Sequence, residues 1–478
     1  MALKLRPYQQ DMIDRTKAAM REHRRVLLQA PTGAGKTAIT VHMMSRAAEQ
    51  GKRSVFLVHQ NELLSQTSRA LWAQHLEHGM IAAGRVQSNQ PAQVASVQTL
   101  VRRLDRYQEP DLIIIDECHR SASASYQTIL DAWPNAWVIG LTATPQRTDG
   151  KGLGDTYAEI VRGPSIRELM DAGYLCDYEI YAPPSTLDLS HVKTKMGDYD
   201  RAELEASVDR PTITGDAIAT YLKHSPGKRC VVMCVSIKHA EHVRDSYLAA
   251  GVPCELIEGS MTNAEREAAL ARMRTGQTLV IAQVQLLIEG VDIPVIEVVQ
   301  WLRPTQSLIV WMQGNGRGLR PAQGKEGLLI LDQVGNWQRH GLPDDDREWS
   351  LEGRKKGKRA SSSEPEVRVQ QCQACYHVFR PGVSECPSCG APVERKEARK
   401  IEVVEGELAK VDADLFRKQG SREQGQARDL ADLIALGARR GMRNPAAWAV
   451  NVHCARLGRK PTKHDYGEAN RIAKEMAA

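Results

Sequence analysis

From about Arg25 to Leu331, short β-branched runs alternate with stretches of helical length. That pattern predicts parallel strands covered by helices on both faces. Predicted strands are Val26–Gln29, Ser54–Val58, Leu112–Asp116 and Val138–Thr142, then Val231–Val235, Thr278–Ala282, Val295–Trp301 and Leu328–Asp332. Residues 183–215 are polar and broken by Pro183, Pro184, Gly197 and Pro211, which divides the pattern near 180. The expected fold class is therefore α/β, with two tandem parallel-sheet lobes over residues 1–180 and 181–350. No repeat of fixed period is present. Beyond 350 the pattern changes. Residues 351–370 hold the basic run Arg354-Lys-Lys-Gly-Lys-Arg359 followed by serines, a flexible linker that reads equally as a solvated spacer or a phosphate-contacting arm. Residues 371–395 are rich in cysteine. Residues 396–478 predict a helical tail, with Gly441, Pro445, Gly458 and Pro461 as breaks.

Composition narrows the classes. A chain of 478 residues has room for two or three domains with cores of their own. Hydrophobic residues at 42% and charged residues at 26% exclude a wholly disordered chain or a collagen-like fibre. No apolar run approaches the ~20 residues that span a bilayer, and the start, Met1-Ala-Leu-Lys-Leu-Arg-Pro7, lacks the apolar centre of a signal peptide. A cytoplasmic protein without a membrane partner is expected. Lys+Arg 64 against Asp+Glu 58 gives +6, too small to indicate nucleic acid by itself, though it permits a locally basic groove.

Two motifs in the first lobe carry phosphate chemistry. Ala30-Pro31-Thr32-Gly33-Ala34-Gly35-Lys36-Thr37 follows a predicted strand and opens a helix ending near Gly51, the context of a phosphate loop. Ala30 stands where the strict pattern has glycine, and its small side chain fits the same turn. The glycines let backbone N–H groups approach phosphates, Lys36 neutralises β/γ charge and Thr37 offers a hydroxyl to Mg2+. Leu112-Ile-Ile-Ile-Asp116-Glu117-Cys-His119 sets two carboxylates at the end of a buried strand. Asp116 suits a magnesium ligand and Glu117 the polarisation of an attacking water. The spacing of His119 from this pair favours a functional role over a satisfied core histidine.

Ten cysteines divide into six scattered ones and the cluster Cys372, Cys375, Cys386 and Cys389. Two Cys-x-x-Cys knuckles ten residues apart can give four thiolates to one structural Zn2+, in a ribbon too small to fold on its own core. This usage implies a reducing compartment. Contacts of the ribbon with DNA, a partner protein or the second lobe are all open. In the tail, the basic stretches Gly437–Arg443 and Gly458–Lys460 read better as a solvated face than as phosphate contacts, and Trp448, Val452 and Leu457 as its core.

In order along the chain stand Leu5-Arg6-Pro-Tyr-Gln9, the phosphate loop, Asp116-Glu-Cys-His119, Thr142-Ala-Thr144-Pro145, Glu289-Gly290-Val-Asp292 and Gln313-Gly-Asn-Gly-Arg317-Gly-Leu-Arg320. With these, residues 3 to about 350 resemble the DExH group of superfamily 2 helicases and translocases. Thr144–Gly150, Arg303-Pro-Thr-Gln-Ser307 and His340-Gly-Leu-Pro343 bring the chain closer to the XPB-like and prophage-type DEAD/DEAH-box proteins. The resemblance implies RecA-like lobes with ATP between them and nucleic acid lying across both. It implies that Arg6 and Gln9 lie on the adenine side, that Arg317 and Arg320 reach ATP from lobe two, and that Gln313 positions γ-phosphate or water. Gly290 and Asp292 would couple ATP to the track, and His119, Thr142 and Thr144 would link the two sites. His59, Gln60, Gln98, Thr99, Ser236 and Lys238 match segments that grip the sugar-phosphate backbone without reading sequence. Aromatics at 5% make extended base stacking a poor primary explanation.

The resulting expectation is an ATP-driven nucleic-acid motor, with DNA preferred over RNA. Two other readings are a duplex translocase within a restriction, repair or defence assembly, and a nucleotide-gated binding protein with little turnover. Protein partners would meet the ribbon or the tail. The chain departs from relatives at Gln285, Ile288 and Gly314-Asn315, where they carry acidic or hydroxylated groups and an apolar pair, so weaker coupling is expected.

Overall fold

The computed structural model describes residues 4–59, 61–147, 152–183, 189, 192–195, 198–208, 211–284, 293–352, 369–393, 427, 429–439, 444–457, 459 and 461–477. Seven parallel strands build the first lobe: β1 (Arg25–Gln29), β2 (Ser54–Val58), β3 (Gly79–Ile81), β4 (Ala92–Ser96), β5 (Leu112–Ile115), β6 (Trp137–Thr142) and β7 (Glu159–Arg162). Their order in the sheet is β3-β4-β2-β5-β6-β1-β7. Helices such as Pro7–Ala19, Lys36–Glu49 and Ala124–Ala132 accompany them. Burial on both faces is why β2 and β5 read as continuous apolar runs.

The second lobe contributes β8 (Tyr178–Tyr181), the short hairpin β9 (Thr194–Lys195) and β10 (Asp198–Tyr199), then β11 (Cys230–Met233), β12 (Cys254–Ile257), β13 (Val280–Gln283), β14 (Val298–Trp301) and β15 (Leu328–Asp332). After it come β16 (Gln370–Gln371) and β17 (His377–Phe379) of the cysteine-rich module. β9 and β10 form a two-stranded sheet of their own, and the other eight strands form one sheet with the order β12-β13-β11-β14-β15-β8-β17-β16. Pairing is parallel as far as β8 and antiparallel beyond it, with His377 opposite Tyr181 and Val378 opposite Ile180. The ribbon therefore meets the second lobe through backbone hydrogen bonds. β8 crosses the expected boundary at 180 and is a strand of lobe two from Tyr178 onward.

Several strands had no clear signal. Ala92–Ser96 is not among the predicted strands, yet all five residues are buried, and the Gln93 amide is accommodated there by donating to Ser88 O and Gln90 O at 2.9 Å each. Conversely, the expected strand from Val295 begins only at Val298.

The chain divides into two compact units, Met1–Glu394 and Arg395–Ala478. In the second, helices Leu430–Arg439, Pro445–Arg456 and Lys463–Ala477 pack around Leu433, Ile434, Ala449, Val450, Cys454 and Ala469. Trp448 and Val452 join this core. Leu457 does not: it follows the end of its helix and is 57% exposed, which corrects its expected core role. Arg440, Arg443, Gly458 and Lys460 lie outside the described residues.

Candidate nucleotide site between the lobes

The phosphate loop takes its shape from two glycines with left-handed backbone, Gly33 (φ 91°) and Gly35 (φ 79°). Gly35 caps helix Lys36–Glu49, so Lys36 and Thr37 are its first residues and its free N–H groups face the cleft, an arrangement suited to an anion. Asp116 and Glu117 follow β5, with Asp116 N donating to Leu57 O at 3.0 Å. Glu117 itself adopts a left-handed backbone, φ 44° and ψ 53°, which turns its carboxylate across the loop. A non-glycine residue held there is a strained feature of the kind found at functional sites.

Lys36 Nζ and Glu117 Oε1 lie 2.7 Å apart with both side chains largely buried. The other oxygen, Oε2, accepts from Thr142 Oγ1 at 3.2 Å and lies 3.3 Å from His119 Nδ1. His119 Nδ1 is also 3.3 Å from Thr142 Oγ1, whose oxygen accepts from Thr144 N at 3.2 Å. His119, Thr142 and Thr144 thus form one network around the carboxylate. Burial alone would raise Glu117, but the ammonium of Lys36 and the neighbouring His119 outweigh it and hold the carboxyl well below its ordinary value. Burial likewise opposes the charge on Lys36, and the carboxylates of Glu117 and Asp116 keep it above its usual value. Asp116, buried with less compensation, is pushed up to about 6. A divalent cation beside it would reverse that shift.

A cavity of about 410 Å3 opens above these groups, lined from lobe one by Arg6, Thr32, Gly33, Gly35, Lys36, Thr37, Asp116 and Glu117, and from lobe two by Gln313, Arg317 and Arg320. The lobe-two residues come from helix Leu308–Gly318 and the turn after it. That helix is pinned from behind: Trp301 Nε1 donates to Asn315 Oδ1 at 2.9 Å and Trp311 Nε1 to Gly341 O at 3.2 Å. The Trp301 ring fills the space over Gly314, where a β-carbon would lie 2.6 Å from Cζ2. The unusual Gly314-Asn315 pair is thereby explained, since an indole from β14 supplies the apolar bulk and Asn315 satisfies its N–H.

Gln9 is buried behind the loop, its Nε2 donating to Ala34 O at 2.8 Å and its Oε1 accepting from Arg6 N at 2.9 Å. Pro31 and Ala34 contribute loop backbone. Tyr174, which the sequence did not suggest, also lines the cavity. Its ring lies 5.0 Å from that of Tyr8 and 4.6 Å below the Arg6 guanidinium. These groups present a flat surface suited to a purine. Gly290, Asp292, Gln60, Gln285 and Ile288 lie outside the described residues.

Among the expected strand contacts, His59 and Gln98 come together at the ends of β2 and β4, with Gln98 Nε2 donating to His59 O at 3.2 Å. Ser96 Oγ donates to Gln98 Oε1 at 2.8 Å and fixes it. Thr99 is half-buried one position on, and Lys238 is exposed. Ser236 is engaged otherwise: its Oγ accepts from His239 N at 3.1 Å and caps helix Ile237–Ala249.

In the ribbon, Sγ atoms of Cys372 and Cys389 are 3.7 Å apart, as are those of Cys375 and Cys386. All four lie within 4.8 Å of one another. A tetrahedron with ~2.3 Å metal–sulfur bonds has edges of about 3.8 Å, so the set fits one thiolate-bound ion. Ala374 N donates to Cys372 Sγ at 3.4 Å, and the backbone N–H groups of Cys375 and Ala374 draw that thiol below its ordinary value. His377 is buried beside the Tyr181 ring and is not among the four.

Comparison with known proteins agrees with this geometry. Residues 2–147 match the family model described as "Type III restriction enzyme, res subunit", and residues 214–322 the "Helicase conserved C-terminal domain". A 51.5 kDa protein of Lactococcus phage (isolate 7-9) is 30% identical over 406 residues, covering 83% of this chain and 86% of its own. A Saccharomyces cerevisiae protein assigned as the ATP-dependent helicase IRC3 is 31% identical over 356 residues, 69% of this chain and 51% of its own, so the chain spans about half of that relative. The DNA 3'-5' translocase XPB2 of Sulfurisphaera tokodaii is 24% identical over 69% of this chain and 81% of its own. A fragment assigned as an HsdR subunit of a type I restriction enzyme from Vibrio vulnificus YJ016 shares the fold, with TM-score 0.56, 23% identity, and coverage of 70% of this chain and 65% of that one.

Proposed function

The chain belongs to the superfamily 2 helicases and translocases, and from that membership we propose that it is an ATP-driven motor on nucleic acid, a DNA helicase that uses hydrolysis to move along the sugar-phosphate backbone. One observation carries the reading: Lys36, Asp116 and Glu117 from lobe one and Gln313, Arg317 and Arg320 from lobe two line a single cavity. Only a site completed by both lobes couples nucleotide state to their separation.

In this reading the loop N–H groups and Lys36 hold the phosphates, while Thr37 and Asp116 hold Mg2+, which would neutralise charge on the transferring group. Arriving phosphate competes with Glu117 for Lys36. The 2.7 Å ion pair then opens, and the carboxylate is released to orient water. Arg317 and Arg320 meet the developing charge when the lobes close. The network of Glu117, Thr142 and His119 is the link to the strand-gripping face. Cys372, Cys375, Cys386 and Cys389 hold a structural Zn2+. The lobes we propose are the two expected from the sequence, with their boundary moved from 180 to just before Tyr178 because β8 pairs in the second sheet, and the 371–395 ribbon is attached to the second.

A duplex translocase without strand separation is a second reading, favoured by the named activity of the XPB2 relative and by the restriction-enzyme family match. Strand separation and triplex displacement, measured on the same protein, divide the two. Unwinding of a tailed duplex supports the helicase, and triplex displacement without unwinding supports the translocase.

A further inference from the structure

One stretch of chain, residues 174–182, runs from the nucleotide cavity to the four-cysteine module. At its start Tyr174 lines the cavity beside Arg6 and Tyr8. Leu175 packs on the phosphate loop so closely that a β-carbon at Gly33 would lie 2.6 Å from Leu175 Cδ2. Cys176 N then donates to Leu319 O at 2.9 Å. At the far end β8 pairs with β17, Gln371 Nε2 donates to Ala182 O at 2.7 Å, and the hydroxyls of Tyr181 and Ser388 lie 2.8 Å apart. Ser388 sits between Cys386 and Cys389, so Tyr181 touches the second knuckle itself.

The middle of the stretch is tied to a buried charge. The Asp344 side chain is 0% exposed. It accepts from the Tyr178 hydroxyl, pairs with Arg167 of helix Ile166–Asp171, and lies 3.1 Å from Arg380 of the module. Arg380 also reaches Asp345 at 2.8 Å. A buried carboxylate is tolerated only when paired, and removing one partner leaves a costly charge. Here the partners come from lobe one, from the crossing stretch and from the ribbon, so Asp344 ties three parts of the chain to one point.

We propose that Arg380 and Tyr181 are positioning residues for nucleotide binding: the folded four-cysteine module, acting through Asp344 and residues 174–182, holds Tyr174 and Leu175 in place against the base and the phosphate loop. The inference rests on the nucleotide-site reading above. It assigns the module a role inside the motor, carried by a contiguous chain of packed and hydrogen-bonded groups. Binding couplings of this kind are reciprocal, so nucleotide should in turn tighten the module.

The test is equilibrium binding of a fluorescent ADP with Mg2+, together with ATPase kinetics, in the full chain and its variants. Arg380→Gln should weaken ADP at least fivefold and raise KM for ATP by a similar factor, while kcat stays within twofold. Arg380→Lys should restore affinity to within twofold of the unmodified protein. Tyr181→Phe keeps the ring and loses only the hydroxyl contact with Ser388; it should weaken ADP at least twofold, and it decides the matter if Arg380→Gln does not fold. The proposal is overturned if folded variants bind ADP as the unmodified protein does, or if kcat falls with affinity unchanged. If the unmodified protein binds no ADP, the nucleotide-site reading itself fails.

Discussion

Gly316 of lobe two lies directly over Thr32 of the phosphate loop: a β-carbon at position 316 would stand 2.5 Å from Thr32 Cβ. The contact sets how close the helix bearing Gln313 and Arg317 comes to the nucleotide phosphates. Its glycine is needed for that approach, since the helix geometry itself would accept alanine.

Gly316→Ala should therefore spare the lobe-one phosphate loop and oppose closure. We expect kcat for ATP to fall at least tenfold, about 1.4 kcal/mol or more in the activation barrier, with ADP affinity changed less than threefold. Steady-state phosphate release and ADP titration check the two halves.

The Lys36–Glu117 pair predicts two different failures. Lys36→Ala removes the cation that phosphate needs and should abolish detectable nucleotide binding. Glu117→Gln keeps the shape and loses the base, so ATP should bind while turnover falls by roughly 10² or more. Single-turnover hydrolysis and nucleotide titration separate the variants.

Asn315 shows how a departure from relatives becomes legible only in three dimensions. In the sequence, Gly314-Asn315 predicts weaker coupling. In the structure it is half of a packing exchange whose other half is Trp301, fourteen residues earlier, with the indole N–H bonded to Asn315. Asn315→Leu should cost about 1–3 kcal/mol by leaving that buried donor unpaired, read as a lower urea midpoint.

His340 supplies a pH signature. Burial pushes its imidazole down from 6.5 to about 4, while its Nε2 faces Thr305 O at 2.9 Å. The unfolded chain then takes up a proton at higher pH than the folded one. Its contribution is complete above pH 6.5 and lost as pH falls toward 4. Stability should drop by about 1–2 kcal/mol between pH 7 and 5 from this group, and His340→Gln should show a shallower decline in urea titrations at the two pH values.

The parts of the site carried by local chemistry were readable from residues alone. Gly33 and Gly35 mark a turn, Lys36 and Thr37 a helix start, Asp116 and Glu117 the end of a buried strand, and the four cysteines their own spacing. Parts made by distant contacts were not. Tyr174 follows a short helix with no motif around it, and it enters the cavity because β8 belongs to the second sheet. Asp344 reads as one of three consecutive surface aspartates, yet it alone is sealed by Tyr178, Arg167 and Arg380. Neither has a periodicity or spacing that a sequence could display. The ribbon illustrates both cases: its ligands are local, whereas its docking edge is set by Tyr181 and Ile180, nearly two hundred residues away.

Zinc content follows from the same four thiols. Elemental analysis after chelator-free purification should give one zinc per chain, and Cys386→Ser should lose it. A metal content near zero in the unmodified protein would remove the structural-ion assignment.

A site completed by both lobes should hydrolyse ATP in response to a bound strand. Magnesium-dependent phosphate release, titrated at fixed salt with single-stranded DNA, duplex DNA and RNA, tests it most directly. Release should rise several-fold with DNA, less with RNA, weaken steeply as salt is raised because the contacts are to phosphates, and be lost in Glu117→Gln. Release that is absent, or that is unaltered by any nucleic acid, or that survives in full in Glu117→Gln, would contradict it.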